Sequence, residues 1–386
     1  MKEYIARRYQ NAGGSLTLDT EALRRYPDVI DLSIGDTDFT TDSRIIDAAF
    51  ADARAGYTRY GDPKGDPELI EAVRAAWRED YGQEIRTEEV LITASSCMGM
   101  SQVMLSLLNP GDEVIVIAPY FAVYRQQIEM AGGVCVETET REENGFEPEE
   151  AALRACVSPK TRAIVVNTPC NPTGAVYGRE TLEAIARIAQ ENDLLVIADE
   201  IYTRYVYEGT FIPMRTLPGM ADRTVTLNSF SKNYMMTGWR VGYIIAHPEL
   251  IRVCQMVNGG LTYTTPSISQ RAALHALPLR KQIEEEYISV YRDRVLHMAD
   301  RLAGIPWITL SRPKGTFYLF PGIERTGLTD TAFCKKLLEE AHVLVSPGSA
   351  FGRAGRGHFR IAATADEARL MEAADRMARM RFGPDR

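Results

Sequence analysis

The sequence predicts an α/β protein: a large domain built on a mostly parallel sheet covered by helices, followed by a smaller α+β domain. Three observations predict it. Short apolar runs rich in Val, Ile and Leu alternate with amphipathic helical patterns between residues 90 and 245, the arrangement that buries a parallel sheet on both faces. Each run stops at a cluster of small, polar or proline residues, and in open α/β sheets ligands collect at such strand ends. Beyond Pro278 the alternation gives way to a long charged helical pattern and then to mixed elements. The expected divisions are an N-terminal arm that also joins the small domain (1–40), the large domain (41–280) and the small domain (281–386).

With 386 residues and 45% hydrophobic content, the chain can bury a large core in two domains. Its net charge is −8 and it has no run of Lys and Arg, so the electrostatic footprint of a nucleic-acid binder is missing. The first ten residues carry Arg7 and Arg8 but no apolar h-region, and the apolar runs elsewhere are strand length. Neither export nor membrane spanning is therefore expected, and the cytoplasm is the expected location. Six cysteines without a C-x-x-C pair and five dispersed histidines fit reduced thiols and no metal site.

In chain order, residues 31–36 form a short apolar run that breaks at Gly35, where backbone can approach another group closely. Residues 57–65 have loop composition and carry Tyr57 and Tyr60. Asp66 is expected to cap a helix with Pro67 in its first turn and Leu69, Ile70, Val73, Ala76 and Trp77 on its apolar face. A strand at 90–92 runs into Ser95, Ser96 and Cys97, where a helix departs toward Leu108; free N–H groups at such a start make a seat for an anion. Further strands are expected at 114–117, ending near Phe121; at 163–166, ending at Asn171; at 194–198, ending at Asp199; and at 224–227, delivering Ser229, Ser231, Lys232 and Arg240. Another follows at 241–245. The small domain is read as a helix to about Leu302, β-type runs at 316–320 and 343–346, and a last helix opened by a capping box of Thr364 and Glu367.

Three motifs stand out in order and spacing: Asn171-Pro172-Thr173-Gly174, then Asp199-Glu200-Ile201-Tyr202, then Ser229-Phe230-Ser231-Lys232 with Arg240 eight residues on. Together they resemble the fold-type I pyridoxal-phosphate aminotransferases of the aspartate and aromatic class I/II kind, and the resemblance runs from about Gly35 to Arg360. It implies a seven-stranded-type sheet, pyridoxal 5′-phosphate as cofactor, an amino acid and a 2-oxo acid as substrates, and a homodimer with shared active sites. Lys232 would hold the cofactor as a Schiff base and move the proton at the substrate Cα. Asp199 would keep the pyridine nitrogen protonated so that the ring accepts electrons, and Tyr202 and Asn171 would bond the ring oxygen. Ser95, Ser96, Cys97, Ser229, Ser231 and Arg240 would hold the phosphate, joined by Tyr60 from the neighbouring subunit. Phe121 would stack on the ring. Arg360, with Asn171, would bind the substrate carboxylate while Gly35 closes over it; Tyr263 and Thr264 would also lie near the subunit interface.

One departure bears on the substrate. Bacterial aspartate aminotransferases of the nearest subgroup carry a lysine where this chain has Cys97, and that lysine can serve a side-chain carboxylate. The expectation is therefore a neutral or aromatic amino donor in preference to aspartate. Arg59 is read as solvated, with replacement of the lost charge as the alternative. Two other functions share the site: a carbon–sulfur β-lyase, which needs the same lysine and electron sink, and a non-catalytic ligand-sensing regulator. The acidic charge and the lack of room for a DNA-binding module before Gly35 disfavour the second.

Overall fold

In chain order the strands of the computed structural model, which describes residues 4–6, 9 and 24–382, are β1 (Ile30–Asp31), β2 (Val90–Thr93), β3 (Glu113–Ala118), β4 (Val134–Glu139), β5 (Thr161–Asn167), β6 (Leu195–Asp199), β7 (Thr224–Ser229), β8 (Gly242–Ile245), β9 (Tyr318–Leu319), β10 (Val343–Leu344), β11 (Ser346–Pro347) and β12 (Phe359–Ala362). Seven of them form one sheet in the order β2-β8-β7-β6-β5-β3-β4. Neighbours from β7 to β4 run parallel, and only β8 is antiparallel to both of its partners. Much of the N-terminal arm expected over the first forty residues lies outside the described residues.

The central strands are nearly continuous apolar runs because both faces are covered. Alternate residues serve opposite faces. Ile115, Ile164, Val166 and Val196 pack with Leu182, Ile185 and Ile188 of helix Arg179–Glu191 on one side. Val114, Val116, Val165 and Ile197 pack with Met100, Val103 and Met104 of helix Ser96–Leu107 on the other. Each such fully buried aliphatic side chain contributes roughly 1.5–3 kcal/mol.

Local signals account for several helices. Asp66 accepts from the Glu68 N–H and Pro67 opens helix Pro67–Tyr81 as expected. The last helix differs: it runs Glu367–Arg379, and its cap is Asp366, whose carboxylate accepts from Arg369 N. Thr364 lies too far upstream to cap it. The charged helix after Pro278 is present in segments to Ala303, with one π-helical turn at Glu284–Ile288. Strand β4, which the sequence reading did not mark, is the sheet edge beside β3.

Two small sheets bring distant residues to the strand ends. β1 pairs with β10 in parallel, Ile30 opposite Val343. β12 lies between β11 and β9, antiparallel to each. Leu32 joins these units, its N–H donating to Leu344 at 2.8 Å and its carbonyl accepting from Ala362 N at 2.9 Å. The segment after Leu32 is thereby held against Arg360 of β12. Among the described residues, no helix is long and apolar enough to cross a membrane.

Candidate active site

The C-terminal ends of β5, β6 and β7 are in register, with Asn167 opposite Asp199 and Asp199 opposite Leu227. The Asn167 amide ties them together, donating to the Asp199 carbonyl at 2.8 Å while its oxygen accepts from Asn171 N at 2.9 Å. After β7, Ser229 accepts from Ser231 N at 3.0 Å and caps the short helix Phe230–Asn233, which presents Lys232. The result is a cleft of about 610 Å³ whose lining includes Gly35, Phe121, Asn171, Asp199, Tyr202, Lys232 and Arg360. Seven of the residues marked from sequence thus meet in one place.

Asp199 is buried, and the Tyr124 hydroxyl donates to its Oδ2. Its Oδ1 is buried with no partner among the described residues. Burial pushes the carboxyl up to about 6, with the Tyr124 hydrogen bond opposing. A cationic N–H donor entering the cleft would complete this site and favour the ionised form.

Lys232 Nζ donates to the Gly35 carbonyl. Burial pulls its pKa down to about 8; Asp36 opposes that, and Arg360 and Arg240 add to it. A lysine so placed is neutral, and hence nucleophilic, far more often than a surface one. Gly35 is required where it stands, since a Cβ there would lie 1.8 Å from the Tyr318 hydroxyl oxygen.

Arg360 is 7% exposed. Nη1 donates to Asn171 Oδ1 at 3.1 Å, Nη2 to the Ser33 carbonyl, and Nε has no partner among the described residues. The guanidinium lies 4.7 Å from the Tyr318 ring centre and 4.8 Å from that of Phe351. Burial lowers its pKa, with Tyr318 and Tyr202 opposing. No carboxylate pairs with it among the described residues, and a buried cation without a counter-charge is costly, so the cleft is prepared for an anion.

A second cluster sits beside the cleft. Ser95, at φ 89°, caps helix Ser96–Leu107 and accepts from Met98 N at 3.3 Å. A Cβ at Gly242 would lie 2.6 Å from the Asn228 carbonyl and 2.8 Å from Ser96 N, so only glycine lets β8 pass this close to the helix start. Gly242 is also opposite Ser229, whose hydroxyl donates to Ser231 at 2.9 Å. Arg240 is exposed and left-handed at φ 53°, with one guanidinium N–H on the Thr237 carbonyl at 2.7 Å. Its charge reaches both Cys97 and Lys232. Cys97 accepts from the Gln127 amide at 3.4 Å.

Tyr60 is not part of this chain's cleft. It is 82% exposed and packs edge-on against Tyr263, itself 53% exposed, with ring centres 5.1 Å apart. Arg59 is exposed as well. Conversely, the sequence reading missed Tyr124 and Tyr318. Tyr124 lies three residues after Phe121, one helical turn on, and could have been marked as facing the same way. Tyr202 and Tyr318 share a 3.1 Å contact between hydroxyls, for which no local pattern gives a signal. Among the described residues, no group of three or more His, Cys, Asp or Glu could hold a metal ion.

Comparison with known proteins gives a consistent result. The family profile "Aminotransferase class I and II" matches residues 27–377. The chain is 36% identical to the aspartate/prephenate aminotransferase of Thermus thermophilus, over 97% of this chain and 98% of the relative. It is 38% identical to aromatic-amino-acid aminotransferase 2 of Thermococcus litoralis, over 91% of each. The solved structure of the Thermus thermophilus aspartate aminotransferase with maleate superposes with a TM-score of 0.92 at 36% identity, covering 97% of this chain and 99% of that one. The unpaired Oδ1 of Asp199 and the depressed lysine fit the cofactor such enzymes use. This chain belongs to the class I and II aminotransferases and is an enzyme of the pyridoxal 5′-phosphate-dependent, fold-type I kind.

Proposed function

We propose that the enzyme moves the α-amino group of an amino acid with an uncharged, apolar or aromatic side chain to a 2-oxo acid. One observation carries the choice of donor. Among the described residues, the charged side chains lining the cleft are Asp199, Lys232 and Arg360, and the wall beyond them includes Ile34, Ile201, Leu344, Pro347, Ala350 and Phe351. Each of the three charges already has a task, so the described lining offers no spare cation to a side-chain carboxylate. Relatives carry both kinds of name, aspartate/prephenate and aromatic.

When bound, pyridoxal 5′-phosphate supplies a carbonyl that captures the amino group and a ring that accepts the electron pair left at Cα. Within this reading Lys232 is the anchoring amine and then the base that takes the Cα proton; its depressed pKa makes it available near neutral pH. Asp199 Oδ1 would hold the ring nitrogen's proton in place. Tyr202 would donate to the ring oxygen, and Phe121, which lines the same cleft, would support the ring. The Arg360 fork binds the α-carboxylate, displacing the Ser33 carbonyl, while the Asn171 amide group orients it. The closely packed Gly35 segment and Tyr318 exclude water above Lys232. Ser95 and Ser96 N–H groups, the Ser229 and Ser231 hydroxyls, the Cys97 backbone and Arg240 would hold the phosphate.

The same reading includes a homodimer. The Tyr60–Tyr263 pair, exposed on one copy, is covered by a second, and Tyr60 reaches the neighbour's phosphate. It also includes a large unit over 41–280 and a small one over 281–386 joined by the arm, supported by the pairing of β1 with β10, and a cytoplasmic location, supported by six free cysteines.

The test is a half-reaction: amino acids are added singly to loaded enzyme without a 2-oxo acid, and cofactor absorbance is followed. Phenylalanine, tyrosine, leucine or alanine should convert it to the amino form faster than aspartate does. Release of pyruvate from cysteine or cystathionine without an acceptor, at a rate above that conversion, would mark the carbon–sulfur lyase instead.

A further inference from the structure

The hydroxyls of Tyr202 and Tyr318 lie 3.1 Å apart, and both residues are almost wholly buried. A phenol has one proton to donate. If Tyr202 gives its proton to the cofactor's ring oxygen, the proton between the two tyrosines must come from Tyr318. Either hydroxyl can donate across this contact, so the direction follows from the role given to Tyr202, while the surroundings of Tyr318 hold it in place. Its N–H donates to Thr316 Oγ1 at 3.0 Å, and β9 is in register with β12, Tyr318 opposite Ala362. Its ring meets that of Tyr202 nearly at right angles, centres 5.8 Å apart, and carries the Arg360 guanidinium on its face at 4.7 Å. Above the hydroxyl, Gly35 leaves no room for a side chain.

We propose that Tyr318 is a positioning residue for the reaction, whose hydroxyl donates to Tyr202 and thereby commits the Tyr202 proton to the ring oxygen. The inference rests on the role given above to Tyr202. Chained hydrogen bonds of this kind polarise one another in a low-dielectric interior, so the Tyr202 hydroxyl is a stronger donor than it would be alone. Tyr318 does not touch the reacting atoms. It links three parts of the site: the donor to the cofactor, the arginine for the carboxylate and the segment that closes over both.

The experiment is a pH titration of the absorbance of loaded enzyme, without substrate, which reads the proton shared between the lysine-bound nitrogen and the ring oxygen. A donor on that oxygen competes with this proton, so a weakened donor moves the midpoint up. Tyr202→Phe should raise it most. Tyr318→Phe, which keeps the ring beneath Gly35, should raise it by about half a unit, in line with one hydrogen bond lost from a relay. Tyr318→Leu, lacking hydroxyl and ring alike, should raise it at least as much. The double variant Tyr202→Phe/Tyr318→Phe should match Tyr202→Phe, since the two act through one oxygen. A midpoint that moves in Tyr202→Phe but not in the Tyr318 variants overturns the inference alone, as do shifts that simply add in the double variant. A midpoint unmoved in every variant overturns the Tyr202 assignment as well.

Discussion

The Tyr124 hydroxyl donates to Oδ2 of Asp199 and leaves Oδ1 as the free oxygen of a buried carboxylate. A residue 75 positions earlier in the chain therefore decides which oxygen faces the cleft. The bond also opposes the burial that pushes the carboxyl up.

Tyr124→Phe removes that opposition, so the carboxyl rises further above about 6. The ionised form needed opposite a cationic ring nitrogen becomes scarcer, and more so at low pH. Cofactor affinity should fall about tenfold, the scale of one hydrogen bond to a charged group, with a larger loss at pH 6 than at pH 8. Equilibrium titration of stripped protein with pyridoxal 5′-phosphate measures it; equal affinity at both pH values would refute the assigned role.

Gly35→Ala forces a Cβ into the space of the Tyr318 hydroxyl, and overpacking of this kind costs about 1–3 kcal/mol. Because the segment also holds the Lys232 ammonium and borders Arg360, KM for the amino donor should rise and kcat should fall together. Steady-state kinetics beside a thermal melt separate the two effects. Unchanged KM with a lowered Tm would mean that Gly35 serves packing alone.

In stripped protein the buried Asp199 and the part-buried Lys232 both cost stability near neutral pH. For Lys232 the folded pKa of about 8 lies below the unfolded value, so the folded state binds fewer protons. The penalty is full below about 8 and fades as pH rises through the unfolded value. Lys232→Met should therefore raise the Tm of stripped protein by a few degrees at pH 7, and by less at pH 10. A gain that grows with pH would contradict the sign.

If Tyr60 completes the neighbour's site, Tyr60→Ala and Lys232→Ala are each deficient alone, yet a hybrid dimer holds one site with both residues intact. Refolding the two variants together in equal amounts should restore roughly a quarter of wild-type activity, from half the dimers each carrying one site. No recovery would sever Tyr60 from the neighbour's site.

The sheet and the strand-end residues were legible because parallel strands buried on both faces must be apolar until they end. Asn171, Asp199 and Lys232 stand just past such runs and Arg360 within the last one, and the cleft gathers all four. β4 was invisible for the same reason in reverse: Val134–Glu139 lies on the sheet edge, mostly part-exposed, and its apolar run stops after three residues, with Glu137, Thr138 and Glu139 completing the strand. The cap at Thr364 failed because Asp366 competes two residues later with a carboxylate already aimed at Arg369 N. Tyr318 could not be read at all, since its partner Tyr202 is 116 residues away and the two segments meet through a bridge between Val206 and Gly315 and the Thr316 N–H on the Tyr205 carbonyl.

The central claim is that the charges of the described cleft lining are all committed, leaving an uncharged wall for the donor side chain. It is tested most directly by the ratio of kcat/KM for phenylalanine to that for aspartate, with one 2-oxo acid held saturating. A missing cation leaves a desolvated carboxylate unpaired, a loss of about tenfold or more per unmet charge, so the ratio should exceed ten. A ratio below one would show that a cation reaches the aspartate carboxylate, from the partner subunit or from Arg59, and would contradict the claim.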